Sequence, residues 1–177
     1  MNSREISREI AYAAITGALY ATLTMALPLI SYGPIQFRVA EALCVLPFFM
    51  PGTALGLFVG CAIANLLSAA GVVDVVFGSL ATLAAALLTA KIGKSYKDGR
   101  ESEMSLTRCI KACAMPVILN GPIIGAVLAY TYTPDAFWQG FVFFMGEVAL
   151  GEAAVMMTFG LGFMRLIQRL GIIKKFS

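Results

Sequence analysis

The chain has 177 residues, of which 59% are hydrophobic and only 13% charged, and its mean hydropathy is +0.84. Water-soluble domains carry about 25% charged residues, and a globule of this size leaves too much chain at its surface to hide so much apolar area. The composition excludes a soluble globule and points to the bilayer, where each helical crossing takes about 20 mostly apolar residues.

In chain order, a basic start (Arg4, Arg8) leads into an apolar run over 10–30. Such a start imitates a secretion signal, but the further apolar runs behind it make it an anchoring span. This first helix carries small residues in a stripe: Ala14 and Ala18, with Ala13, Gly17 and Ala21 offset by one position. Small stripes let membrane helices approach closely, either inside the bundle or at a partner subunit. The next apolar stretch, 37–90, is too long for one crossing. It is interrupted by Pro47, Pro51 and Gly52, then by Ser68-Ala69-Ala70-Gly71 and Asp74. Proline and glycine interrupt helices, so three spans are expected there. Two more follow, 113–130 and 137–164, separated by Thr131-Tyr132-Thr133-Pro134-Asp135.

The basic residues set the orientation. Arg38 apart, they fall into three clusters: Arg4 and Arg8; Lys91, Lys94, Lys97, Arg100, Arg108 and Lys111; and Arg165, Arg169, Lys174 and Lys175. Cytoplasmic segments collect Lys and Arg, so an even number of spans separates each pair of clusters. The expected architecture is an all-α bundle of six transmembrane helices over 9–29, 37–49, 52–70, 74–93, 107–130 and 137–168. Both termini are cytoplasmic and 1–177 forms a single domain. The second span is short, which fits a tilted, broken or re-entrant segment buried in protein or lining a cavity.

Several chemistries are missing from the sequence. It has no His, and Cys109 and Cys113, at i,i+4, have no second pair to complete a tetrahedral metal site. With Cys44 and Cys61 they read as apolar packing residues. Gly93-Lys94-Ser95 imitates the tail of a phosphate loop, but Leu88 stands where that loop needs glycine. No metal, cofactor or nucleophile–base set is expected, and no enzyme. Uphill work would draw on a partner or an ion gradient.

Ionisable groups at membrane depth cost about 2.5–3.5 kcal/mol or more and mark pathways or sites. Here they are Arg38, Glu41, Asp74, Glu147 and Glu152, with Gln36, Asn65 and Asn120 as neutral companions. Arg38 and Glu41, three residues apart, are spaced to pair. Glu147 and Glu152 lie five positions apart and project about 140° from each other, so they cannot face one point. Glu147, nearer the outer end, is the favoured ligand contact. An unpaired buried carboxylate suits a ligand with an ammonium or amidine-like edge. Asn120, before Gly121 and Pro122, either satisfies backbone groups loosened at a kink or faces a solute. Tyr32, Phe37, Tyr130, Tyr132 and Trp138 read as an interfacial belt.

The block Tyr32-Gly33-Pro34-Ile35-Gln36-Phe37-Arg38-Val39-Ala40-Glu41-Ala42-Leu43 is distinctive. So are Leu46-Pro47-Phe48-Phe49, the run from Gly56 to Leu66, the run from Asp74 to Thr82, and Asn120-Gly121-Pro122. Together they resemble the QueT family of queuosine-precursor transporters, which are substrate-binding S-components of energy-coupling-factor (ECF) uptake systems. The resemblance implies a six-helix S-component in a prokaryotic plasma membrane, associated with a membrane scaffold subunit and two cytoplasmic ATPases. Ala14 and Ala18, with Gly17 beside them, would form the docking face. The implied substrate is a 7-deazaguanine base, in its cationic aminomethyl or neutral nitrile form. Its guanine-like edge sets a ring N–H beside an amino group, and a carboxylate accepts both. Glu147, Glu41 and Asn120 are the expected polar contacts, supported by Gln36, Arg38 and Asn65. Asp74 is expected to touch the ligand or cap its helix. The alternatives are an S-component for another vitamin or nucleobase, or a stand-alone ion-coupled carrier.

Overall fold

A computed structural model of the chain describes residues 2–32, 37–97 and 104–170, and all regular structure among them is helical. The order is α1 (Ser3–Ala26), α2 (Pro28–Ser31), a 3-10 helix (Val39–Phe48), α3 (Thr53–Asn65), α4 (Val72–Lys97), α5 (Leu106–Tyr132), α6 (Phe137–Val155) and α7 (Leu161–Leu170). A short 3-10 turn, Pro134–Ala136, leads into α6, and a π turn, Met156–Gly160, joins α6 to α7. Arg100, Lys174 and Lys175 of the basic clusters lie outside the described residues.

Three stretches are long and apolar enough to cross a bilayer: Val72–Lys94, Leu106–Tyr132 and the continuous Pro134–Leu170. Val39–Phe48 and Thr53–Asn65 are apolar but shorter. The outward faces are apolar as well: Trp138 exposes 73% of its surface, Leu150 72% and Leu55 63%. Water would penalise such a surface and hydrocarbon does not. The chain is a multi-pass helical membrane protein.

Several helix ends differ from the expected ones, each for a local reason. α1 begins six residues early because Asn2 and Glu5 form a capping box: Asn2 Oδ1 accepts from the Arg4 N–H at 2.9 Å, and Glu5 Oε2 from the Asn2 N–H at 2.9 Å. α3 ends at Asn65, not 70, in a series of tight turns that close on Gly71 at φ +63, a conformation glycine adopts without strain. α5 runs unbroken through Pro116 and Pro122. Pro116 leaves the Ala112 carbonyl without its helical donor, and the Thr89 hydroxyl of α4 donates to it at 3.3 Å.

Glycines allow a close helix approach, α1 on α3. A β-carbon on Gly56 would strike the Ala13 carbonyl oxygen, one on Gly60 that of Gly17, and one on Gly17 would lie 2.6 Å from that of Gly56. Gly17 is therefore buried inside the bundle, which removes it from the proposed docking face. Ala14 and Ala18 remain exposed.

The stretch expected as a short second span is a 3-10 helix, which touches α1, α3, α4, α5 and α6. A 3-10 helix rises about 2.0 Å per residue against 1.5 Å for an α-helix, so ten residues reach about 20 Å. Buried among its neighbours, this rod carries polar residues at one end and apolar ones at the other. Val45, Leu46, Phe48 and Phe49 join Cys109, Ala112, Cys113, Met156 and Met164 in an apolar core. A β-carbon on Gly93 would strike the Phe48 carbonyl, so α4 lies directly on that end.

Candidate functional site: a polar cavity inside the bundle

The 3-10 geometry orders the polar end. With three residues per turn, positions i and i+3 eclipse, so Arg38, Glu41 and Cys44 form one row, all buried. Arg38 and Glu41 face a small cavity with Gly78 and Thr82 of α4, Asn120 and Ile124 of α5, and Val148 and Glu152 of α6. The enclosed space is narrow, about that of one water molecule. Measured along α4, α5 and α6 from their Tyr132–Phe137 end, these residues sit roughly 10–20 Å deep.

Arg38 is held from three sides. Its Nη2 lies 3.5 Å from Asp74 Oδ2, its Nε donates to the Ser31 carbonyl at 3.3 Å, and its guanidinium sits 5.8 Å from the centre of the Tyr32 ring. The expected Arg38–Glu41 pair is corrected: the arginine's carboxylate is Asp74, brought in by α4. Asp74 is fully buried in the first turn of α4, and its carbonyl accepts from Asn65 Nδ2 at 2.9 Å. Gly78 is required behind this pair, since a β-carbon there would lie 2.6 Å from Asn65 Nδ2 and 2.8 Å from Asp74 Oδ1.

Glu41 has neutral donors instead. The Tyr20 hydroxyl donates to its Oε1 and the Cys44 thiol to its Oε2, the latter at 3.0 Å. Thr82 donates to Cys61 Sγ at 3.3 Å. Cys44 and Cys61 thus hydrogen-bond at the edge of the site, whereas Cys109 and Cys113 pack in the apolar core. Across the cavity, Asn120 Nδ2 donates to Glu152 Oε1 at 3.2 Å. Asn120 therefore does not satisfy loosened backbone. Asn65 Oδ1, Asp74 Oδ1 and Asn120 Oδ1 are buried without a hydrogen-bond partner among the described residues. Buried acceptors of this kind are uncommon and call for an explanation.

Arg38, Glu41 and Asn120 thus come together on the cavity, with Asn65 and Asp74 directly behind. Gln36 lies outside the described residues. Glu147 does not line the cavity; it is partly buried on another face of α6, with its Oε2 lacking a hydrogen-bond partner among the described residues. Glu152 takes the cavity position instead. The sequence contains the signal that the two carboxylates diverge, but depth does not decide which of them faces this cavity. Gly78 and Thr82 lie in the distinctive run from Asp74 to Thr82 but are not singled out in it, and Tyr20 has no sequence signal beyond lying on a membrane helix. Among the described residues no three metal-ligating side chains come together.

The membrane helices thus enclose a charged, hydrogen-bonded cavity inside the bundle, and ionisable groups at such depth mark functional sites. The model of the QueT transporter family matches residues 10–169, and the chain belongs to that family. A stretch of 77 residues is 48% identical to the queuosine precursor transporter QueT of Lactococcus lactis subsp. cremoris (strain MG1363). The aligned part covers 42% of this chain and 45% of that protein, about half the length of each. No solved structure matches.

Proposed function

We propose that the protein is the substrate-binding S-component of an ECF uptake system in a prokaryotic plasma membrane, capturing a queuosine precursor outside the cell. A scaffold subunit and two cytoplasmic ATPases would supply the energy. The observation that carries this reading is the cavity, where buried donors and acceptors converge in a chain of the QueT family. The precursor is a 7-deazaguanine base. Its ring N–H and amino group match a carboxylate, and its ring carbonyl matches the Arg38 guanidinium. A bicyclic base needs more room than the cavity provides, so capture requires the surrounding helices to part. The 3-10 helix and the π turn are the irregular helical geometries nearest the site, and such geometries often mark hinges.

Six crossings with both ends cytoplasmic fit the three basic clusters. In this arrangement α1, the 3-10 helix and α3 supply the crossings besides the three long apolar stretches. The exposed Ala14 and Ala18 leave a smooth strip on α1 for the scaffold, while the neighbouring stripe through Gly17 packs on α3.

Equilibrium binding to the purified protein tests the function. A deazaguanine base is expected to bind without ATP, while thiamine, riboflavin and biotin do not. Binding of one of those vitamins, with no deazaguanine bound, would overturn the assignment.

A further inference from the structure

The continuous helix through α6 and α7 is longer than a membrane crossing needs. Pro134–Leu170 spans 37 residues, about 55 Å of helix at 1.5 Å per residue, against a hydrocarbon core of about 30 Å. Trp138 stands exposed near its first end, the kind of residue that marks a membrane boundary. About 40 Å of helix separates it from Arg165, the thickness of a bilayer with both headgroup layers. α7 therefore leaves the hydrocarbon and lies at headgroup level.

The faces of α7 are sorted accordingly. Met164 and Ile167 are buried in the apolar core with Cys109 and Cys113 of α5. Away from that core, Arg165 and Arg169 are both exposed, and four positions apart they project within about 40° of each other. Leu166 and Leu170 repeat the spacing one position on and are exposed as well. A basic strip thus runs beside an apolar one. Neither α5 nor α7 contains an acidic residue. Among the described residues neither guanidinium has a hydrogen bond or an ion pair. Lys91 and Lys94 of α4 and Lys111 of α5 are exposed at the same end of the bundle, where Gly93 meets Phe48, so the local charge is positive throughout.

We propose that this face of α7 binds an anionic phospholipid, with its phosphate on Arg165 and Arg169 and an acyl chain along Leu166 and Leu170. A guanidinium stays charged and donates two parallel N–H bonds to phosphate oxygens. Basic sites at this level of a membrane protein suit acidic headgroups. A zwitterionic lipid would bring its own ammonium to a patch that is already positive, and a phosphatidylglycerol would not. The inference is independent of what the inner cavity binds.

The test reconstitutes the full chain into vesicles holding phosphatidylcholine and phosphatidylglycerol in equal amounts, extracts it in mild detergent and counts the retained lipids by mass spectrometry. The wild type is expected to retain phosphatidylglycerol at least about tenfold over phosphatidylcholine, since each basic side chain near a headgroup is worth about fivefold. Arg165→Gln with Arg169→Gln should lower that ratio at least about fivefold. Lys91→Gln with Lys94→Gln removes the same charge from α4 and should change it less than about twofold. Arg165→Lys with Arg169→Lys keeps the charge and should stay within about threefold of the wild type, which separates lost charge from lost fold. Equal retention of the two lipids by the wild type would overturn the proposal and leave the strip to another subunit. Equal losses in the two glutamine pairs would overturn it too, as would a lysine pair that loses as much as the glutamine pair on α7.

Discussion

The two ends of the 3-10 helix have opposite environments although they belong to one ten-residue rod. Around Arg38 and Glu41 the neighbours are Asp74, Asn120 and Glu152, and several buried oxygens have no hydrogen-bond partner among the described residues. Around Phe48 and Phe49 they are Cys113, Met156 and Met164, closely packed, with the Gly93 backbone directly against Phe48. In a bilayer, apolar packing is what holds helices together, because lipid is as apolar as leucine. The Phe48 end therefore holds the bundle together. The Arg38 end keeps polar groups that packing alone would have eliminated, since each costs free energy to bury.

If this division is right, mutations at the two ends should separate stability from binding. Phe48→Ala should have the largest effect, lowering unfolding free energy by about 3–5 kcal/mol through loss of contacts and the cavity left behind. Ligand affinity of the folded fraction should stay within about threefold (roughly 0.7 kcal/mol); a larger affinity loss would show that the ends are coupled. Asn65→Ala should cost less stability, about 1–3 kcal/mol, because it removes the donor to the Asp74 carbonyl in a buried setting. It should also weaken binding, by loosening the support of Arg38. Thermal unfolding in detergent and equilibrium binding on the same preparations measure both quantities. Ala14→Trp, on the exposed face of α1, should change stability by no more than about 0.5 kcal/mol and leave binding intact. It should impair co-purification with the scaffold subunit, and normal assembly would remove α1 from the docking account.

Much of the architecture was legible because its signals are local. Apolar run lengths, the prolines at 47 and 51, and the Ser68–Gly71 break marked the helices to within a few residues. What was not legible depended on three-dimensional placement. The 3-10 form of Val39–Phe48 has no clear sequence signature, and its three-residue period aligns Arg38, Glu41 and Cys44 in a way an α-helix would not. The Arg38–Asp74 pair joins residues 36 apart in sequence, so spacing arguments chose the nearer Glu41 instead. The small-residue stripe on α1 is compatible with packing inside the bundle or at a partner. Only the glycines of α3 show that its Gly17 edge faces inward and its Ala14–Ala18 edge outward.

The central claim is that the ligand occupies the cavity between Glu41, Asn120 and Glu152. Isothermal titration of deazaguanine binding to Glu41→Gln and Glu147→Gln, alongside the wild type, tests it most directly. The account predicts at least about a tenfold loss for Glu41→Gln, the worth of one charge-assisted contact, and near wild-type affinity for Glu147→Gln. The reverse pattern, with Glu147→Gln abolishing binding and Glu41→Gln leaving it unchanged, would place the ligand on another face of α6 and contradict the account.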